Sequence, residues 1–310
     1  MIILKAQALS DFLHKVIFVI FLGLLASCGS TQVISANSSP ALMASVPPSP
    51  EEVLDIGIIA FDPNIPDDII ESNENLIVPD VRRAESRYIA YHLKNTLENT
   101  GNWGAVRVLP NSTESSHIEI NGKILSSDGE MLRLKITAID SKKIKWIDRI
   151  FEDRATGLGY ENPTEDPFQD LYNEVANDLL AFRNSLSSTD SSNIKEIAKL
   201  RFATDLAPEK FDGYLVEEKN GSLKIGQLPA SNDPMIIRVA QLEELDFLFI
   251  DTLDTHFNKF YRETQASYDE WRRTTFAEAL RLRELQKEAR RRIAAGALMI
   301  VGGIAAEGSS

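Results

Sequence analysis

Residues 117–151 read HIEINGKILSSDGEMLRLKITAIDSKKIKWIDRIF, and their alternation decides the fold. Ile118, Ile120 and Ile124 fall on one side of an extended chain, with Gly122 a candidate bulge. Leu132, Leu134 and Ile136 alternate with Arg133, Lys135 and Thr137, the period-two pattern of a strand with one wet face. Ser127-Asp128-Gly129 supplies a tight turn, and Asp140 to Lys143 a second one before Ile144 to Phe151 returns. A three-stranded meander follows from this stretch alone.

Working outward, Ala105 to Leu109 (AVRVL) reads as a strand, preceded by helical spacing from about Asp80 to Asn99. There Val81, Ala84, Tyr88, Tyr91 (or His92) and Leu97 share a face, and Gly101 supplies a stop. Leu54 to Phe61 (LDIGIIAF) is a short apolar run suited to a buried strand. An irregular loop with Asn64, Pro66, Asp67, Asp68 and Pro79 separates the two. On the other side, Phe168, Leu171, Tyr172, Val175, Leu179 and Phe182 mark a packed helix over about 167–184. Strand, helix, strand, meander and helix make an α+β domain over residues 53–186.

The elements IGIIAFDP, LENTGNW, VRVLP and HIEINGKIL…LRLKITAID…KWIDRIFED resemble small periplasmic modules of bacterial envelope proteins. These are the amino-terminal domain of the translocation protein TolB, the penicillin-binding-protein activator lipoproteins and the flagellar lipoprotein FlgO. The resemblance covers about residues 54–184. It implies a binding or scaffolding module and carries no catalytic residue to this chain.

The N-terminus points to the same compartment. Val16 to Leu25 (VIFVIFLGLL) follows Lys5, His14 and Lys15, and is too short for the ~20 residues of a spanning helix. It reads as a signal peptide over residues 1–27. Leu25-Ala26-Ser27-Cys28 then resembles the bacterial lipobox, which implies a diacylglycerol thioether on Cys28 and a further acyl chain on its amino group. The alternative is an ordinary cleaved signal with Cys28 a bystander. Two or three chains at ~0.8 kcal/mol per buried methylene make an effectively permanent anchor. Gly29 rather than Asp after the cysteine implies, by the same resemblance, an outer-membrane lipoprotein facing the periplasm. Residues 28–52, rich in Ser, Pro and Ala, read as a flexible tether.

Ser185 to Ser192 (SLSSTDSS) reads as a boundary, with a mainly helical module over residues 193–310 beyond it. Ile194, Ile197, Ala198 and Phe202 suggest a short helix, and Lys219-Asn220-Gly221-Ser222 a hairpin turn. From Met235 to about Ala295 two or three long helices are expected. Their apolar stripe is Ile236, Val239, Leu242, Leu245, Leu248, Leu253, Phe257 and Phe260, continued by Tyr261, Tyr268, Trp271, Phe276, Leu280 and Leu285. Arg290, Arg291 and Arg292 then lead into Ile293 to Ala306 (IAAGALMIVGGIAA), which holds Gly296, Gly302 and Gly303. Fourteen such residues span about 21 Å as a helix, short of a bilayer core. The segment suits a buried or partner-facing helix end, an oligomer contact or a membrane-inserting element.

Composition bounds the chemistry. A net charge of −13 argues against nucleic acid as a partner. One cysteine, and only His92, His117 and His256 beyond the leader, leave no Cys/His zinc site. Asp251, Asp254 and His256 lie close in sequence but lack a zinc-protease arrangement. Gly157-Leu158-Gly159 is not a phosphate loop, since no Gly-Lys-Ser/Thr follows and no helix is expected there. No Gly-x-Ser-x-Gly elbow occurs, and acidic pairs such as Glu243-Glu244 or Asp67-Asp68 read as solvated surface. The sequence therefore predicts no catalytic residue, metal or cofactor. It predicts a lipid-anchored, non-catalytic scaffold that binds the bilayer through Cys28 and another envelope protein. The alternatives are a cell-wall or glycan hydrolase using acidic residues, and a subunit that oligomerises or inserts through residues 293–306.

Overall fold

The structure, a computed structural model, describes residues 39–67, 77–161, 165–230 and 232–307, with side chains as far as Ile293. Cys28 and Asp68 lie outside the described residues. The elements run β1 (Ile56–Ile59), α1 (Pro79–Thr100), β2 (Val106–Leu109), β3 (Ile118–Ser127), β4 (Met131–Asp140) and β5 (Lys145–Arg154). Then come a short α2 (Gly157–Glu161), α3 (Gln169–Arg183), α4 (Ser188–Leu206), the hairpin β6–β7 (Leu215–Glu217, Leu223–Ile225) and α5 (Pro234–Glu307). The chain is α+β.

Five strands form one mixed sheet in the order β2-β1-β3-β4-β5. β1 pairs parallel with β2 and β3, and β3-β4-β5 is the antiparallel meander. Ile118, Ile120, Ile124, Leu132, Leu134 and Ile136 are all buried, on the face that α1 and α3 cover. Lys135 and Asp148 pair across the open face, the one-sided solvation usual for antiparallel strands. α1 begins at Pro79, whose fixed φ suits a first turn, with Asp80 beside the positive helix end. It ends at Gly101, left-handed at φ 67°.

Several local expectations are corrected. Gly122 is not the bulge: it stays opposite Ile136, and the register shifts between Ile124 and Ser126. Its missing side chain instead admits Phe61, since a Cβ there would sit 2.5 Å from the ring. A five-residue helix does begin at Gly157. Most of the Ser-rich stretch is the first turn of α4, where Ser187 and Asp190 form a reciprocal capping box. Part of the expected tether is bonded to the body. Ser39 N–H donates to Asp170 Oδ1, Leu42 N–H to Asn177 Oδ1 and Ala44 N–H to the Thr100 carbonyl.

The largest difference is α5, a single helix of 74 residues, about 111 Å long, in place of two or three. Nothing in Met235–Ala295 interrupts it, because that span holds no proline and no glycine turn. Its body-facing residues include Val239, Ile250, Tyr261, Arg272 and Arg283, spaced by eleven. Eleven residues make three turns at 3.67 per turn, so a nearly straight helix keeps this face on the body for about 66 Å. The expected stripe through Val239, Leu242, Leu245 and Leu248 fails for a geometric reason. Steps of three rotate by about −60° each, so the series ends half a turn from where it began. Leu242, Leu245, Leu248, Leu280 and Leu285 are exposed.

Candidate functional site

Two features of α5 are candidates: the polar seam that docks it, with the cleft at the seam's mouth, and an exposed apolar ridge.

The seam is built where α1 lies against α5. Tyr88 stacks on Tyr261 at 4.5 Å between centroids and tilts against Tyr268 at the same distance. Around these rings the contacts are polar. Arg107 Nε donates to Asp251 Oδ1 at 2.6 Å, and Lys94 lies 3.4 Å from Asp254. His92 Nδ1 meets the Tyr261 hydroxyl at 2.7 Å, and its Nε2 meets Gln169 Oε1 at 2.9 Å. The Gln169 amide donates to Thr96 and Asn173, so its oxygen is the end facing His92. In the neutral ring Nε2 then carries the proton and Nδ1 accepts from Tyr261. Deeper in, the Tyr268 and Ser127 hydroxyls donate to Glu85 Oε1 at 2.8 and 2.6 Å, and Arg82 Nε lies 2.9 Å from Glu85 Oε2. Burial pushes the Glu85 carboxyl above its ordinary range despite Arg82.

Arg272 closes the series. It is 1 % exposed, donates through both terminal nitrogens to Asp166 at 3.1 and 2.9 Å, and lies 4.5 Å from the Tyr268 ring centroid. Burial alone would raise the Asp166 carboxyl, but the neighbouring His92 ring, the Arg272 guanidinium with its hydrogen bonds and the Phe168 N–H outweigh it and hold it below the carboxylate range. Arg283 pairs with Asp128 at 2.6 Å and with Glu130, tying α5 to the β3–β4 turn. Such a seam fixes register: α5 displaced by one turn would leave Arg272 and Asp166 desolvated without each other.

Beside the seam lies a cleft of about 440 Å³, lined among the described residues by His92, Glu165, Asp166, Asp269, Glu270 and Arg272. Its carboxylates suit a polyhydroxylated or cationic ligand. A general acid needs a carboxyl held protonated, whereas Asp166 is held ionised. The raised carboxyl nearby, outside the lining, is Asp153: burial, with Asp170 and Asp166 close, pushes it up to about 6. The folded state then binds more protons than the unfolded state between pH ~4 and 6, so Asp153 lowers stability as pH rises through that window. Asp153→Asn is expected to raise the melting midpoint at pH 7 and to leave it unchanged at pH 4. An equal gain at both pH values would refute this.

The ridge comprises Leu242, Leu245, Leu248 and Phe249, which fall within an arc of about 120°. They lie about 60–180° around the helix from Val239 and Ile250, the residues that face the body. Its members are 48–62 % exposed, unusual for four large apolar side chains in one patch.

The sequence-predicted positions divide as follows. Asp251 and Asp254 are ion-pair partners of Arg107 and Lys94, and His256 is exposed, so these three do not converge. His117 accepts the Asp55 N–H on Nδ1 at 2.9 Å, and burial lowers its pKa. Arg290, Arg291 and Arg292 are exposed on α5, and Gly296, Gly302 and Gly303 lie on its continuing backbone. Glu85, Asp166 and Arg272 were not foreseen. Arg272-Arg273 reads as surface charge, and only the eleven-residue recurrence with Ile250 and Tyr261 marks Arg272 as inward. Compared with protein-family models, curated proteins and solved structures, the chain matches none.

Proposed function

We propose that this chain is a lipid-anchored envelope protein that works by docking a partner rather than by catalysis, with the α5 ridge as its contact surface. One observation carries this reading. A helix fixed along one face by buried ion pairs presents Leu242, Leu245, Leu248 and Phe249 to solvent on another. A rigid apolar helix face is a recurrent mode of protein recognition. The lipobox-like Leu25-Ala26-Ser27-Cys28 supports the membrane attachment, and the outer membrane is its proposed site. The test is affinity capture from detergent-solubilised envelopes, comparing the native chain with Leu245→Glu/Phe249→Glu. Both positions are exposed, so the unfolding free energy should stay within ~0.5 kcal/mol of the native value. Loss of one reproducible partner is expected, and an unchanged partner list would overturn the ridge as the contact.

The carboxylate-lined cleft favours a second reading, hydrolysis of a cell-wall or glycan polymer. Its test is turnover of purified peptidoglycan or glycan by the native chain against Glu165→Gln/Asp269→Asn. Absence of turnover by the native chain would end this reading.

A further inference from the structure

Among the described side chains of α5, the last to contact the body is Arg283, on Asp128 and Glu130. From Glu284 to Ile293 every residue is exposed, so no face of the helix is covered there, yet its backbone runs on to Glu307. Residues 284–307, 24 in number, amount to about 36 Å of helix past Arg283. Most helical stability in proteins comes from packing against a surface, so a surface that covers this segment would stabilise it.

The sequence of this projection is polarised. Residues 284–292 carry Lys287, Arg290, Arg291 and Arg292 against Glu284 and Glu288, on a chain whose net charge is −13. Residues 293–306 then carry no charge at all. A helix apolar all round belongs in an apolar medium, and three adjacent arginines at its entrance belong among anionic headgroups. A parallel second copy would set the two arginine clusters side by side, which disfavours parallel self-association as the cover.

The fold adds where the projection points. Ser39, the first described residue, is bonded to Asp170 in the first turn of α3. Arg272 of α5 is bonded to Asp166, just before that turn. Arg154, at the end of β5, is bonded to Glu130, which also holds Arg283. The chain therefore joins the body at the end from which α5 leaves it. If Cys28 is acylated, only ten residues, 29–38, separate the lipid from Ser39 along the sequence.

We propose that residues 284–307 form a second membrane contact: Arg290, Arg291 and Arg292 bind anionic headgroups and residues 293–306 enter the acyl region without crossing it. Only the orientation argument rests on the lipid-anchor reading, and the test does not. The chain from Gly29 onward, which carries no acyl group, is floated with phosphatidylethanolamine vesicles containing phosphatidylglycerol, and with the same vesicles lacking it. Binding to the anionic vesicles alone is expected. Arg290→Gln/Arg291→Gln/Arg292→Gln should weaken it about a hundredfold, at ~1 kcal/mol per basic residue near the surface. Equal partitioning of native and triple variant, or none by the native chain, would overturn the proposal. A native mass that halves on truncation after Arg292, without vesicle binding, would overturn it in favour of self-association. Failure of the anchor reading would show separately, as absence of acyl mass on Cys28 in envelope-derived protein.

Discussion

Replacing Arg272 with methionine is expected to lower the thermal unfolding midpoint by about 6–20 °C. The change leaves Asp166, whose side chain is 4 % exposed, buried beside the cleft with its bidentate partner gone. Breaking one half of a buried ion pair costs about 3–5 kcal/mol. For a folded body of this size 1 kcal/mol moves the midpoint by about 2–4 °C. Methionine keeps the packing volume against Tyr88, Phe168 and Tyr268, so the loss reports the charge and not a cavity. The control is Arg272→Met with Asp166→Leu, which removes both charges and should regain most of the loss. A single variant as stable as the native chain would show that the pair does not hold α5. A double variant no better than the single would show that the network around the pair, and not the orphaned carboxylate, carries the cost.

The second large effect is expected at Gly129, in the β3–β4 turn. Its φ of 81° already disfavours any side chain, at about 1–2 kcal/mol. An added Cβ would also press on the Arg272 carbonyl oxygen, sit 2.6 Å from Thr275 Oγ1 and 2.8 Å from the Phe276 nitrogen. Two of these are backbone atoms of α5, held by its own ladder, so no side-chain rotation relieves those contacts. Overpacking adds about 1–3 kcal/mol. Gly129→Ala should therefore cost about 2–5 kcal/mol and lift α5 from the turn, releasing Arg283 from Asp128. Limited trypsin digestion should show faster cleavage at Arg281 and Arg283, together with a lower midpoint. Gly213 is the comparison: its φ is 78° but nothing lies within 4 Å, so Gly213→Ala should cost only the strain. Equal effects at the two glycines would refute the close approach of turn and helix.

Much of the α+β body is legible in the sequence because its elements are set by local periodicity. In β3 and β4, burial of Ile118, Ile120, Leu132, Leu134 and Ile136 follows the alternation of the residues themselves. Gly101 ends α1 as expected, but the single apolar face is corrected: Tyr88 and Tyr91 meet Tyr261 of α5, Leu97 lies half a turn from Tyr88, and the helix is buried on more than one side. The seam and the ridge were harder to read. A leucine every third residue looks like a stripe until the helix is known to be straight and single. Then Leu242, Leu245 and Leu248 turn away from the body and become the ridge. The seam is hidden for another reason: charges in a sequence read as surface, and only a partner element shows which are buried.

From the sequence alone came the order of strands and helices, the one-sided meander, the basic-then-apolar end of α5 and the lipobox-like segment. All depend on neighbours within a few residues, where steric and periodic rules act. The tertiary structure decided that α5 is one helix, which of its faces meets α1, and that Asp166 and Arg272, 106 residues apart, share one buried pair. Desolvation and pairing act between groups distant along the chain, so these features exist only once the chain has folded.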